Sequence, residues 1–166
     1  MRIELNLNGE KRWFVTEPDE SLLDLLRRYG LTGTKKGCGE GTCGSCVVLL
    51  DGLPVNSCII FAPQAAGRTV TTIEGVGSIQ APNPIQEELV RAGAVQCGFC
   101  TPGMVLSTQA LLDRDPDPDD EAIRLALDGN LCRCTGYVKI LEAVRTAAQR
   151  LREKTVSTEK GFSDGD

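Results

Sequence analysis

Histidine is absent from all 166 residues. Its absence excludes zinc sites that mix cysteine with histidine, and a Rieske centre, whose second iron takes two imidazoles. It also removes the commonest general base. No Gly-x-Gly-x-x-Gly or Walker loop follows a strand pattern, and Ser and Thr have no base to activate them, so no bond-making chemistry is expected of this chain alone. A run of about 18 apolar residues, long enough to span a bilayer, is missing too. The opening MRIELNLNGEKRW lacks the apolar core of a secretion signal, and a cytoplasmic location is the expectation. The 18 Lys and Arg are scattered against 23 Asp and Glu, leaving a net charge of −5. Nucleic acid, which needs clustered positive charge, is therefore excluded as a partner, and proteins are expected instead.

What the chain has is cysteine, eight in 166 residues. In a reducing cytosol that density points to metal ligands rather than disulfides. With 41% hydrophobic and 25% charged residues the composition suits a soluble globular chain, and two small domains fit the cysteine distribution better than one.

Residues Arg2 to Leu7 alternate polar and apolar, Asn8-Gly9 is a strong hairpin turn, and Lys11 to Val15 can return as a second strand. Trp13 is read as a hairpin-packing residue. Ser21 can cap a helix whose Leu22, Leu25, Leu26 and Tyr29 share a face, with Gly30 placed to end it. Beyond a glycine-rich loop, Cys46 to Leu50 and Val55 to Ile60 read as strands around the Asp51-Gly52 turn, and Thr69 to Ile73 as a last strand. This is a small mixed sheet with one helix. The stretch GVGSIQAPNP has no periodicity and reads as a linker. We place a first domain at 1–76, the linker at 77–83, a second domain at 84–154 and a polar tail at 155–166. In the second domain, Asn83-Pro84, Thr101-Pro102 and Asp117-Pro118 each offer a cap followed by proline in the first turn. A fourth helix is expected from Tyr137 to Leu151, so the fold class is α+β with a four-helix second half.

The first cysteine set is GCGEGTCGSC, with Cys38, Cys43 and Cys46 spaced C-x4-C-x2-C, and Cys58 after eleven more residues. This is the plant-type [2Fe–2S] ferredoxin spacing. One short loop must wrap three thiolates while its amides face sulfur, and Gly37, Gly39, Gly41 and Gly44 permit that close backbone approach. A four-cysteine zinc knot or ordinary buried thiols are the alternatives, but structural zinc prefers two short two-cysteine knuckles. The second set is QCGFC, with Cys97 and Cys100, and LCRC, with Cys132 and Cys134. Each pair precedes a predicted helix, whose first-turn amides favour negative sulfur. On spacing alone this set suits zinc or a redox dithiol as well as an iron–sulfur cluster.

Taken together, GCGEGTCGSC, Cys58, VQCGFCTPGM and GNLCRCTGY resemble the small iron–sulfur subunit, or N-terminal iron–sulfur domain, of the molybdenum hydroxylases, over about residues 1 to 152. That family includes xanthine dehydrogenase, aldehyde oxidoreductase and carbon monoxide dehydrogenase. The resemblance implies a ferredoxin-like β-grasp domain followed by a four-helix bundle, each with one [2Fe–2S] cluster. It implies a large subunit carrying molybdopterin, in the cytosine dinucleotide form, and a medium subunit carrying FAD, assembled as a dimer of heterotrimers. The cluster at Cys97, Cys100, Cys132 and Cys134 would lie beside the pterin and the Cys38 cluster toward FAD, with this chain as the electron relay. Gln96 and Cys134 would contact the pterin. Thr101, Pro102 and Gly103 are read as helix-start geometry, and Arg133 as a solvated or interface charge. A stand-alone two-cluster carrier and a structural zinc module are the competing readings.

Overall fold

The computed structural model describes residues 1–160, with side chains described through residue 154. Strands β1 (Arg2–Leu7) and β2 (Glu10–Val15) form an antiparallel hairpin, closed by Asn8 and Gly9 at φ 52° and 85°. Both central residues lie in the left-handed region that a type I′ turn requires. Alternation along β1 turns Ile3, Leu5 and Leu7 inward. On the outer face the Arg2 guanidinium lies 4.5 Å from the centroid of the exposed Trp13 ring, so Trp13 packs on its own hairpin.

Helix α1 (Leu22–Arg28) starts where the Ser21 hydroxyl accepts the Asp24 N–H at 3.0 Å. Strands β3 (Val47–Leu50), β4 (Leu53–Asn56) and β5 (Thr69–Thr71) complete a mixed sheet in the order β2-β1-β5-β3-β4, with β5 parallel to β1 and antiparallel to β3. Leu22, Leu25 and Leu26 of α1 pack on Ile3, Leu5, Leu7, Val48, Leu50 and Val70. This is the expected sheet with one helix.

All four residues of β3 are buried. Val48 and Leu50 face α1, whereas Val47 and Leu49 pack against Leu106, with Ala110 and Val76 at the edge. A strand covered on both faces loses the alternation of a half-solvated one and reads as a continuous apolar run. The second layer is the helical half.

That half comprises α2 (Pro84–Arg91), α3 (Thr101–Arg114), α4 (Asp120–Leu127) and α5 (Val138–Lys160). They enclose a second core around Ile85, Leu89, Met104, Val105, Ile123, Ile140 and Val144. Asn83 caps α2 in a reciprocal pairing with Gln86, as expected from Asn83-Pro84. The other two starts differ. Thr101 is the first residue of α3, and Cys100 occupies the cap position. Asp119, not Asp117, caps α4 by accepting the Ala122 N–H at 2.8 Å. Asp117 is occupied elsewhere: its N–H donates to Asp115 and its carboxylate pairs with Arg152. Helix α5 runs past Leu151 to Lys160, and 161–166 of the expected tail lie outside the described residues. At the α2–α5 seam the buried Glu88 carboxylate accepts from Arg91 and Arg150. Near the linker, Ile73 and Val76 pack on the helical core.

Candidate metal centres

The loop between α1 and β3 carries Cys38, Cys43 and Cys46. Three of its amides already point at sulfur: Cys38 N–H to Cys43 Sγ at 3.3 Å, and Glu40 and Thr42 N–H to Cys38 Sγ at 3.4 Å each. Gly37 is required here because a Cβ on it would sit 2.8 Å from Cys43 Sγ. The fourth cysteine arrives by a departure from the expected strand. Instead of continuing to Ile60, β4 stops at Asn56, and Ser57–Ile59 form a turn of 3₁₀ helix. The Ser57 hydroxyl and N–H both donate to the Cys46 carbonyl, at 2.7 and 3.3 Å. That fold-back brings Cys58 to Cys46, while Asn56 Nδ2 ties the loop down through the Gly41 carbonyl at 2.8 Å.

The second set sits at helix starts. Cys97 and Cys100 precede α3, and Cys132 and Cys134 lie in the loop before α5. Cys134 and Cys97 sulfurs are 3.7 Å apart, and Cys100 contacts Cys132. Gln96 is exposed and donates through Nε2 to the Cys134 carbonyl at 3.2 Å, so Gln96 and Cys134 lie together on the solvent-facing edge.

Each set is thus two contacting pairs: Cys38 with Cys43 and Cys46 with Cys58, then Cys97 with Cys134 and Cys100 with Cys132. Among the described residues no group of three or more His, Cys, Asp or Glu closes in on a single ion. Two pairs side by side suit a group with two metal atoms, each taking two thiolates. The electrostatics differ thiol by thiol. Hydrogen bonds from the Thr42 side chain, the Glu40 amide and Cys43 bring Cys38 down to about 6. Burial, then Cys46, pushes Cys58 up to about 11. Burial likewise pushes Cys100 up to about 12. At Cys132 burial acts upward but is outweighed by the Thr135 hydroxyl and the Cys134 and Thr135 amides, which hold the thiol below its ordinary value.

The two sets are joined. Leu131 N–H donates to the Cys43 carbonyl at 2.9 Å. Beside it, buried Asn130 donates through Nδ2 to the Gly44 carbonyl at 3.1 Å and accepts from the Ser107 hydroxyl at 2.7 Å. Tyr137 Oη accepts the Cys132 N–H at 2.8 Å and donates to the Asn130 carbonyl at 3.3 Å. Gly103 belongs to this joint as well as to the helix start, since a Cβ there would collide with the Gly44 carbonyl. Sequence reasoning missed Asn130, Ser107 and Tyr137. The available signal was the polar pair Asn130 and Tyr137 bracketing the second cysteine pair in NLCRCTGY. Arg133 is exposed.

Residues 5–66 match the family of the 2Fe-2S iron-sulfur cluster binding domain, and 72–145 that of the [2Fe-2S] binding domain. The molecule is therefore an iron–sulfur protein with two [2Fe–2S]-binding domains. It is 56% identical over 149 residues to the nicotinate dehydrogenase small FeS subunit of Eubacterium barkeri, covering 89% of this chain and 95% of that one. With the nicotine 6-hydroxylase small subunit of Paenarthrobacter nicotinovorans it shares 44% over 155 residues, covering 93% of each chain. The crystal structure of quinoline 2-oxidoreductase from Pseudomonas putida 86 superposes with a TM-score of 0.88 at 44% identity, over 92% of this chain and 96% of that one. The chain belongs to the iron–sulfur subunits of the molybdenum hydroxylase family. Among the described residues no helix is long and apolar enough to cross a membrane.

Proposed function

We propose that this chain relays single electrons through two [2Fe–2S] clusters, between a molybdopterin centre, on a large partner subunit, and FAD, on a medium one. Cys38, Cys43, Cys46 and Cys58 hold the first cluster, in domain 1–76. Cys97, Cys100, Cys132 and Cys134 hold the second, in domain 84–154. When bound, such a cluster takes up and releases one electron at a time. The residues fit it: four thiols in two pairs, with backbone amides aimed at sulfur to offset the charge gained on reduction.

The observation that carries the proposal is the Leu131 N–H to Cys43 carbonyl hydrogen bond. Cys43 belongs to one thiol set, and Leu131 precedes Cys132 of the other. One hydrogen bond thus joins two covalent segments that each end on a cysteine. A stand-alone carrier needs no second set wedged against the first. Gln96 and Cys134, exposed together, form the edge that meets the pterin, in its cytosine dinucleotide form. Electrons from substrate oxidation on the large subunit enter at this edge and leave from the exposed Cys38 side toward FAD. The subunits form a dimer of heterotrimers in the cytoplasm. The names of the relatives, nicotinate dehydrogenase and quinoline oxidoreductase, support nitrogen heteroaromatics as the substrate class.

Purification under native conditions tests this. The chain should emerge with two larger chains, with molybdenum and flavin, and with iron matched by acid-labile sulfide. Adding nicotinate should bleach the iron–sulfur absorbance. Recovery of the chain alone, fully stable and with both clusters, would favour the independent carrier; zinc without sulfide would sink both.

A further inference from the structure

The Thr135 hydroxyl is placed as a donor to the Cys132 sulfur, at 3.2 Å. The same oxygen accepts the Tyr137 N–H, also at 3.2 Å. A hydroxyl has one proton to give, and with its oxygen engaged by an amide that proton is left for sulfur. The turn that holds this geometry is strained. Tyr137 has φ 71°, a left-handed conformation costly for a bulky aromatic side chain, and follows Gly136 at φ 67°. The strain is held by Tyr137 Oη, which accepts the Cys132 N–H at 2.8 Å and donates to the Asn130 carbonyl. Tyr137 therefore grips the backbone of Cys132 while its own amide orients Thr135 toward the sulfur of the same residue. Thr135 itself is half-buried between exposed Cys134 and Gly136, while the Tyr137 ring packs on the edge of the helical core.

Hydrogen bonds to ligand sulfur, together with solvent exposure, are what move the potential of one ligand set. A donor draws negative charge from the thiolate and favours the form with one more electron. We propose, on the assignment of Cys97, Cys100, Cys132 and Cys134 as ligands of one cluster, that the Thr135 hydroxyl sets the reduction potential of that cluster, with Tyr137 as the positioning residue. The change is one electron with no proton lost, because the hydroxyl keeps its hydrogen in both states. The contact is a side chain's, so one substitution removes it. The Cys134 and Thr135 backbone amides that also face this sulfur, like those of Glu40 and Thr42 at Cys38, survive any change of side chain, so the substitution removes the hydroxyl's share alone.

The test is a redox titration of the full chain in the complex in which it is isolated, with each cluster followed by its own electron paramagnetic resonance signal. Thr135→Val, which keeps the shape and removes the donor, should make the helical-domain cluster harder to reduce. The reduced-to-oxidised ratio at fixed ambient potential should fall about tenfold, about 59 mV for one electron, with the other cluster unmoved. Thr135→Ser, which keeps the hydroxyl, should stay near the parent potential. If the valine variant fails to assemble that cluster, Thr135→Ala removes the donor without a branched side chain and must show the same shift. An unchanged potential in the valine and alanine variants, or equal shifts in the serine and valine variants, would overturn the proposal. Failure of the ligand assignment is seen separately, as a helical-domain signal that survives Cys132→Ser.

Discussion

The carbonyl oxygen of Cys43 accepts the backbone N–H of Leu131 at 2.9 Å, and this bond fastens the sheet domain to the helical domain at the point where their cysteine loops meet. It does not stand alone. Asn130 reaches the Gly44 carbonyl one residue along, and Gly103 at the start of α3 lets that carbonyl approach its helix. Val47 and Leu49, just beyond, seal the seam against Leu106. Close contact between the loops is thus maintained by apolar burial beside a short polar joint.

The glycine at the joint should be intolerant of a methyl group. Gly103→Ala drives its Cβ into the Gly44 carbonyl and against Asn130 Nδ2, so α3 must retreat from the loop. We expect a lower melting temperature and slower electron exchange between the clusters, measured by rapid-freeze resonance after mixing with reductant. Gly129→Ala, two residues before Leu131, is the control: its Cβ meets nothing within 4 Å and should leave both readouts unchanged.

The two thiol sets should be separable. Neither contacts the other through sulfur, so Cys134→Ser should remove the helical-domain resonance and leave the Cys38 one, while Cys58→Ser should do the reverse. Disappearance of both signals in either variant would show that the sets cannot be held independently.

Much of this was legible in the sequence because it rests on local rules. The Asn8-Gly9 turn needs left-handed residues, Ser21 caps by its own hydroxyl, and a wrapping loop needs C-x4-C-x2-C. What was not legible depends on contacts far apart in the chain. Beyond Asn56 the chain keeps one more contact with β3, Ser57 on the Cys46 carbonyl, and then turns as a 3₁₀ helix through Cys58, a change that strand-favouring Ile59 and Ile60 conceal. The cap of α4 is Asp119, which accepts the Ala122 N–H, while Asp117, two residues earlier, faces Arg152 of α5, a contact across the chain that no local pattern announces. The joint at Asn130 requires the sheet and helices to be docked already, so nothing local announces it.

Acid should weaken the sheet domain with a defined sign. The Arg28 side chain, with Thr16 assisting, holds the Glu20 carboxyl below its ordinary value of 4.5. A carboxyl depressed in the folded state adds stability above its unfolded value, and that stability is lost as pH falls through the folded value. The loss should therefore begin near 4.5 and deepen downward. Arg68 acts alike on Asp51, on the turn between β3 and β4. Glu20→Gln should flatten the melting temperature against pH in this range. Parallel curves for variant and parent would show that the pair contributes nothing.

Asn130 offers the sharpest test of the joint, because both its side-chain partners are known and it is almost wholly buried, at 3% exposure. Asn130→Ala strands the Ser107 hydroxyl and leaves the Gly44 carbonyl only the Val47 N–H, at 3.2 Å, and an unsatisfied buried group costs about 1–3 kcal/mol. Water entering the space left by the amide would recover part of that, so a net loss of about 2 kcal/mol is expected in denaturant unfolding. Asn130→Asp should be worse at neutral pH despite its similar shape. It keeps an acceptor for Ser107 but turns the other oxygen, where an amide donor belongs, toward the Gly44 carbonyl, setting two acceptors face to face in a buried site. Protonation would convert that oxygen into a donor, so the aspartate variant should regain stability relative to the alanine one as pH falls. An aspartate variant as stable as the parent at neutral pH would mean that the Gly44 contact contributes little and that apolar packing around Leu106 holds the domains together.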